Sequence, residues 1–242
     1  MATEAPISGG QRTPPPGVEV LWIARVGEHA ADAMAHRDLL DAEESARLDG
    51  FVRPGDRDAY AVGHVALRRL LGDRLGRAPE AVVLGRNPCT SCGDPHGRPI
   101  VPGDPVHFSL SHTRGMVLIA LASAPVGVDV EVLPRPETVA DITPQLHPTE
   151  RLELAELPAE GRSLAFARCW TRKESVLKAR GVGLNEELSR TYVGAGPQPA
   201  VDPVWLLADV PVDPGFAAAV AVRRVPMPPA DPLADSVGDI GE

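Results

Sequence analysis

Runs of hydrophobic and polar residues with two different periods predict the elements of this chain. Alternating or β-rich runs, typical of strands, occur at 18–26, 81–84, 106–110, 116–122, 126–132, 204–210, 216–224 and around Tyr192. Apolar residues at helical spacing occur over 38–49, 56–75, 149–157 and 163–180. Strands and helices are interspersed in this order, which predicts an α+β fold.

The order of elements also suggests how the chain is divided. A series of strand, helices and strands is followed by a second series of strands, helices and strands, and the two meet near residue 125. We therefore predict two similar α+β halves, 17–125 and 126–225. Segments 1–16 and 226–242 are rich in proline and small or acidic residues and poor in apolar ones, so both are predicted to be disordered tails.

Charge and composition narrow the classes of partner. The net charge of the 242-residue chain is −9, which argues against general affinity for nucleic acid or an anionic membrane. Segment 47–86 is the exception, because its eight arginines and five acidic residues give it a charge of +3. Such a region predicts either an anionic ligand or an exposed, solvated face.

The lack of a recognisable targeting signal in the sequence and the pattern of cysteines predict a cytoplasmic protein. Residues 1–17 have no apolar core of a signal peptide, and the most apolar stretch, 116–130, is interrupted by Ser123, Pro125 and Asp129. Three cysteines are an odd number without the spacing of a disulfide framework. Cys89 and Cys92 with His96 resemble half of a zinc site, but free thiols in a proline-rich loop are the preferred interpretation.

Two carboxylates on one strand form the first candidate site. In a strand over 126–132, Asp129 and Glu131 point to the same side, whereas Val128 and Val130 point to the other. Adjacent carboxylates repel each other unless solvent or a cation separates them. Hard oxygen ligands suit Mg²⁺, and an exposed acidic strand face is the alternative.

The helix over 163–180, which Gly181 should end, carries the second candidate. Glu174 lies in or beside an apolar stripe made by Phe166, Trp170 and Leu177. A carboxylate there requires a compensating group, and a surface pair with Lys178 is the simplest one.

Lysine usage favours a functional interpretation of this helix. Among 24 basic residues only Lys173 and Lys178 are lysines, and both lie beside Glu174. An ammonium group is a compact charge, whereas guanidinium is a wide planar fork. Two lysines confined to this helix therefore suggest contacts to phosphate oxygens or proton transfer.

A third group of short polar side chains follows a predicted strand. Ser111, His112 and Thr113 would lie at the end of the strand over 106–110, where hydroxyl and imidazole groups could bind a phosphate or simply satisfy a turn. Upstream, Gly97, Arg98 and Pro99 place a cation on a stiff loop.

Together these motifs resemble those of the Sfp-type 4'-phosphopantetheinyl transferases. Residues 127–131 resemble the family's G-[IV]-D-[IV]-E motif, and residues 170–178 resemble W-x-x-K-E-x-x-x-K. Residues 111–113 resemble S-H-S, with threonine in place of the second serine, and residues 97–99 resemble G-[KR]-P. The resemblance extends over about residues 18–224.

The resemblance implies a fold, a site and a reaction. It implies a monomer of two pseudo-symmetric halves with coenzyme A in the cleft between them. The implied residues are Asp129, Glu131 and Glu174 for Mg²⁺; Arg98, Ser111 and His112 for the nucleotide and phosphates; Lys173 and Lys178 near the pyrophosphate; and Arg47 and Arg53 for the 3'-phosphate.

The implied reaction is phosphoryl transfer. A serine of an apo acyl or peptidyl carrier protein attacks the β-phosphate of coenzyme A, and 3',5'-ADP leaves. Such carriers serve fatty acid, polyketide and nonribosomal peptide biosynthesis. Glu174 is the candidate base, with Lys178 beside it. A metal-dependent nucleotide phosphohydrolase and a non-catalytic coenzyme A-binding regulator are the alternatives.

Overall fold

A computed structural model describes residues 10–88, 93, 97–181 and 187–224. The strands are β1 (Gln11–Arg12), β2 (Val20–Arg25), β3 (Gly85–Arg86), β4 (Pro99–Ile100), β5 (His107–Thr113), β6 (Met116–Ala122), β7 (Val126–Val132), β8 (Trp205–Asp209) and β9 (Phe216–Arg223). The α-helices are α1 (Val26–Ala35), α2 (Ala42–Asp49), α3 (Pro54–Leu75), α4 (Pro136–Ile142), α5 (Pro148–Glu156) and α6 (Ala159–Arg180). The predicted α+β class is confirmed.

The first sheet lies in the part of the chain before residue 125. Its antiparallel order is β1-β2-β6-β5, and β3 and β4 form a separate two-stranded ribbon. One face packs against α1 and α3, because alternate residues of β2 and β6 and the apolar side of α3 share one core. Trp22, Ile119 and Leu71 are members of that core.

The second sheet has the order β7-β9-β8, again antiparallel, with α6 on one face. Its other face packs against the first sheet. Ile23 and Leu118 of the first sheet and Val128 and Val220 of the second belong to a single buried cluster. The layers are therefore helices, sheet, sheet and helices, and β7 is an edge strand of its sheet.

Two predicted strands are wrong, and the reason is the same in both. Over 81–84 a 3₁₀ turn at Pro79–Ala81 leads into irregular chain, and the Val82 carbonyl accepts a hydrogen bond from Arg68 Nη1 at 2.9 Å. Around Tyr192 the chain is also irregular, and the Val193 N–H donates to Glu150 Oε1 at 2.8 Å. Side chains satisfy backbone groups that a strand would have paired with a neighbouring strand.

Several helix boundaries differ from the prediction. The helix predicted over 38–49 is divided into a 3₁₀ turn, Arg37–Leu39, and α2, because Asp41 caps α2 by accepting the Glu44 N–H at 2.9 Å. Helices α1 and α4 are absent from the sequence prediction. Helix α6 begins four residues earlier than predicted and ends at Gly181, whose φ of 74° confirms the predicted C-cap.

The predicted tails are tested only in part. Gln11 and Arg12 pair with β2, so this part of segment 1–16 is a strand and the prediction is wrong there. Residues 1–9 and 225–242 lie outside the described residues, as do Cys89, Cys92 and His96. Within the described ranges, no helix has the length and apolar character needed to cross a bilayer.

Candidate active site

Hydroxyl groups of β5 join the two sheets where β5 runs beside the free edge of β7. The Ser109 hydroxyl accepts the Val128 N–H at 3.0 Å, and the Ser111 hydroxyl accepts the Val130 N–H at 3.4 Å. An edge strand has backbone groups with no partner strand, and these serines supply acceptors for two of them.

The same hydroxyls hold the two carboxylates of β7. Ser111 Oγ donates to Asp129 Oδ1 at 2.9 Å, and Thr113 Oγ1 donates to Glu131 Oε2 at 3.2 Å. Asp129 is buried and Glu131 is partly buried. The period-two spacing of Ser109, Ser111 and Thr113 thus matches that of the carboxylates, a signal that the sequence contains and that the prediction of a phosphate-binding turn missed.

A glycine brings α6 against this strand. A Cβ atom on Gly127 would lie 2.0 Å from the Ser175 carbonyl oxygen and 2.5 Å from the Ala179 nitrogen. Only glycine permits this approach, so Gly127 is required for α6 to pack directly on β7. The approach places Lys178 Nζ 2.6 Å from Asp129 Oδ1 and 3.0 Å from Ser111 Oγ.

Asp129, Glu131 and Glu174 then form a cluster with more negative charge than the adjacent lysine neutralises. Burial raises the pKa of Glu174, and the charges of Asp129 and Glu131 raise it further, against the opposing effect of Lys178. The pKa of Glu131 is raised by burial and by Asp129 as well. Glu131 and Glu174 are therefore both harder to ionise than an isolated glutamate.

Two buried oxygens of this cluster have no hydrogen-bond partner among the described residues, Asp129 Oδ2 and Glu174 Oε1. Buried charged oxygens in folded proteins are normally satisfied, so these two atoms are available to a cation or to water. The described residues contain no group of three or more His, Cys, Asp or Glu side chains already close enough to hold a metal ion. The donor chemistry nevertheless fits a hard divalent cation such as Mg²⁺.

Lys173 does not join this cluster, and the prediction that it lies near the pyrophosphate is wrong. It is buried on the side of α6 that faces α5, where its Nζ lies 2.8 Å from Glu150 Oε2. The same ammonium group donates to the Leu188 carbonyl at 2.8 Å and to the Thr191 carbonyl. With these partners its ammonium group has a structural role.

Arg98 lies at the rim of a groove that begins at the C-terminal end of α6. Its Nη1 donates to the Ala179 carbonyl at 3.1 Å, and its buried Nε has no partner within the described part of the chain. Burial lowers the pKa of Arg98. The groove has a volume of about 620 Å³, and Arg180, Trp205 and Arg223 also line it. Its size and charge suit an anionic nucleotide.

The remaining predicted cations come from the first half. His112 is exposed on β5, and partial desolvation followed by the positive charges of His64, Lys178 and Arg47 lowers its pKa. Arg47 lies with its guanidinium carbon 5.8 Å from the centre of the Tyr60 ring. These groups therefore share one region. Arg53 is exposed at the N-terminus of α3 and makes no capping hydrogen bond with its side chain.

Comparison with known proteins identifies the family. A family model described as the 4'-phosphopantetheinyl transferase superfamily matches residues 125–203, which include β7 and α6. The chain is 31% identical to the 4'-phosphopantetheinyl transferase HetI of Nostoc sp., over 84% of this chain and 86% of the relative. It is 27% identical to the 4'-phosphopantetheinyl transferase Sfp of Bacillus subtilis, over 78% of this chain and 90% of the relative. This chain therefore belongs to the 4'-phosphopantetheinyl transferase family.

Proposed function

We propose that this protein transfers the 4'-phosphopantetheine group of coenzyme A to a serine of an apo acyl or peptidyl carrier protein and releases 3',5'-ADP. The observation that carries the proposal is the cluster of Asp129, Glu131 and Glu174 beside Lys178, in a chain whose relatives are named as 4'-phosphopantetheinyl transferases. Phosphoryl transfer requires positioning and neutralisation of negative charge, and this cluster can supply both.

Mg²⁺ is the proposed metal, with Asp129, Glu131 and Glu174 as its ligands. The two unsatisfied buried oxygens, Asp129 Oδ2 and Glu174 Oε1, and the mutual repulsion of the carboxylates support this assignment. When bound, the ion neutralises charge that develops on the phosphate oxygens.

Glu174 is the proposed general base. The serine oxygen forms a bond to the β-phosphorus, the bond from that phosphorus to the bridging oxygen of 3',5'-ADP breaks, and the serine proton passes to the Glu174 carboxylate. In the metal-free protein, burial and the neighbouring carboxylates raise the pKa of Glu174, which is the direction that favours acceptance of a proton. Lys178, whose side chain is one-third exposed, can contact a phosphate oxygen from beside the cluster.

Coenzyme A is proposed to bind along the cleft from Arg98 to Lys178. Arg98 and His112 contact its nucleotide and phosphates, and Arg47 with Arg53 holds the 3'-phosphate. Arg47 lies close enough to His112 to lower its pKa, which supports a common phosphate region. Ser111 positions Asp129 and Lys178 through its hydroxyl, in addition to any contact with phosphate.

The proposed setting is a cytoplasmic monomer whose partners are carrier proteins. The net charge of −9 is consistent with a protein that does not bind nucleic acid or anionic membranes. Light scattering measures the oligomeric state, and a stable dimer would contradict the monomer.

Mass spectrometry of an apo carrier protein incubated with coenzyme A, Mg²⁺ and this protein tests the function. We expect the carrier to gain one phosphopantetheine group and 3',5'-ADP to appear in equal amount, and we expect chelation of Mg²⁺ to stop both. A carrier with its acceptor serine replaced by alanine is the control. Release of free phosphopantetheine without modification would indicate a phosphohydrolase, and binding without turnover would indicate a regulatory protein.

A further inference from the structure

A histidine and a glutamate next to the proposed phosphate region have no role in the mechanism described so far. His64 of α3 places Nδ1 2.8 Å from Glu44 Oε1 of α2. The other oxygen of Glu44 accepts from Arg68 Nε at 2.6 Å and from the Asp41 N–H at 3.1 Å. Glu44 is buried, and three donors on two oxygens hold its carboxylate in one orientation.

These contacts determine which ring nitrogen of His64 donates to Glu44 and which one is left to contact a ligand. Burial acts to raise the pKa of Glu44, but the hydrogen bonds from His64 and from the Asp41 backbone, together with the charges of His64 and Arg68, lower the pKa overall, so Glu44 stays ionised. An ionised carboxylate only accepts hydrogen bonds, so Nδ1 must be the donor. Nε2, on the opposite side of the ring, has no hydrogen-bond partner within the described part of the chain.

The ring is also fixed in its plane. It stacks on Tyr60 with ring centres 3.9 Å apart and an angle of 23° between the planes. The side chain of His64 is 21% exposed, so it is accessible as well as held. A histidine with one nitrogen bound by a carboxylate and its ring stacked presents the other nitrogen in a defined direction.

Basic side chains from other elements lie in the same region as His64. The guanidinium carbon of Arg47, from α2, lies 5.8 Å from the centre of the Tyr60 ring on which His64 stacks, and the charges of His64, Lys178 and Arg47 all act on His112 of β5. Asp56 is the acidic residue that acts on His112 in the opposite direction. The carboxylate of Glu44, which also accepts from Arg68 Nε and from the Asp41 N–H, is the acidic group in direct contact with His64.

We propose that His64 is a further substrate-binding residue, whose Nε2 contacts the 3'-phosphate of coenzyme A, and that Glu44 is its positioning residue. The proposal rests on the proposed function, which places the pyrophosphate at the carboxylate cluster and leaves the 3'-phosphate for this region. A phosphate monoester carries a charge of about −1.5 to −2 at neutral pH, which suits the convergence of Arg47, His64 and His112. His64 would therefore favour binding of coenzyme A over 3'-dephospho-coenzyme A, which lacks this phosphate.

Calorimetry with these two ligands tests the proposal. We expect the wild type to bind coenzyme A more tightly than 3'-dephospho-coenzyme A. We expect His64→Gln to lose about ten- to a hundredfold in affinity for coenzyme A, the cost of a hydrogen bond to a charged group, with little change for the dephospho ligand. His36→Gln is the matched control, because it removes the same ring from a His–carboxylate pair, His36–Asp32, at the C-terminal end of α1.

The outcomes separate this proposal from the function on which it rests. Equal losses for both ligands, or an unchanged ratio of affinities in His64→Gln, would overturn the role of His64. Equal affinity of the wild-type protein for the two ligands would also overturn the role of His64. Failure of the wild type to bind either ligand would overturn the proposed function itself. If His64→Gln melts at a much lower temperature, His64→Lys gives the comparison, and it should retain most of the discrimination because it keeps a cationic donor.

Discussion

Helix α6 carries two lysine–carboxylate pairs that are alike in composition and differ in their surroundings. Lys173 Nζ lies 2.8 Å from Glu150, and Lys178 Nζ lies 2.6 Å from Asp129. These are the chain's only two lysines, five residues apart on one helix. The first pair faces α5 and the second faces β7.

The two pairs differ in whether their hydrogen-bonding groups are satisfied. Both side chains of the Lys173–Glu150 pair are at most 1% exposed, and Glu150 also accepts the His147 and Val193 N–H groups. The side chain of Lys178 is 33% exposed. Nearby, one carboxylate oxygen each of Asp129 and Glu174 has no hydrogen-bond partner among the described residues.

This difference favours a structural role for the Lys173–Glu150 pair and fits the binding role proposed for Lys178. A buried pair with all its groups hydrogen-bonded contributes to one folded arrangement and has no capacity left for a ligand. A cluster with buried oxygens that lack a protein partner and with carboxylates whose pKa values are raised is an arrangement common in active sites. Four experiments test this distinction.

The largest effect is expected for Glu174→Gln. Loss of the base should slow transfer about 10²–10⁴-fold, while the free energy of unfolding stays equal or increases because one carboxylate of a repelling cluster is neutralised. Turnover of apo carrier and urea unfolding measure the two quantities. Glu160→Gln, at an exposed position in the first turn of the same helix, is the control and should leave turnover unchanged. Near-normal turnover of Glu174→Gln would contradict the proposed mechanism.

Glu150→Gln should have the opposite profile. It leaves Lys173 buried without its counter-ion, so we expect a loss of about 3–5 kcal/mol in the free energy of unfolding. Urea unfolding measures this loss, and coenzyme A affinity of the folded protein should not change. The double variant Glu150→Leu with Lys173→Met should recover much of the stability, because apolar side chains can replace a buried ion pair. A silent Glu150→Gln would show that the pair is not structural.

The third experiment removes two basic side chains near the carboxylates of Asp129 and Glu174 and measures substrate binding. Arg98→Ala and His112→Ala should each weaken coenzyme A binding by about 1.5–3 kcal/mol, the worth of a hydrogen bond between charged groups. Calorimetry measures the affinity. Arg37→Ala, which breaks the exposed Arg37–Asp49 pair, serves as the control. If both site variants bind normally, these residues do not belong to the site.

The smallest expected effect is on stability as a function of pH. The pKa of Glu174 is raised in the folded protein, so the folded state binds a proton more readily than the unfolded state does. The stability of the wild type relative to Glu174→Gln should therefore improve as pH falls through the raised pKa and decline as pH rises through it. Thermal or urea unfolding of both proteins across mildly acidic pH measures the difference. A difference that does not depend on pH would contradict the raised pKa.

Local pattern was sufficient for the elements that form the site. The strand with Asp129 and Glu131 on one side and the helix that Gly181 ends are present as predicted, apart from the earlier start of α6. The segments 81–84 and the region around Tyr192 were mispredicted because Arg68 and Glu150, distant in sequence, supply their hydrogen bonds. Local apolar content cannot reveal such partners.

Composition and local pattern were enough to establish the α+β class, the family motifs and the confinement of both lysines to one helix. Only the tertiary structure decided that Lys178 meets Asp129 whereas Lys173 pairs with Glu150. It also decided that Glu44 fixes the ring of His64. The physical reason is that periodicity along a helix or strand specifies which side chains share a face, whereas the partner of that face comes from residues remote in sequence, brought there by packing of the sheets and by the close approach that Gly127 allows.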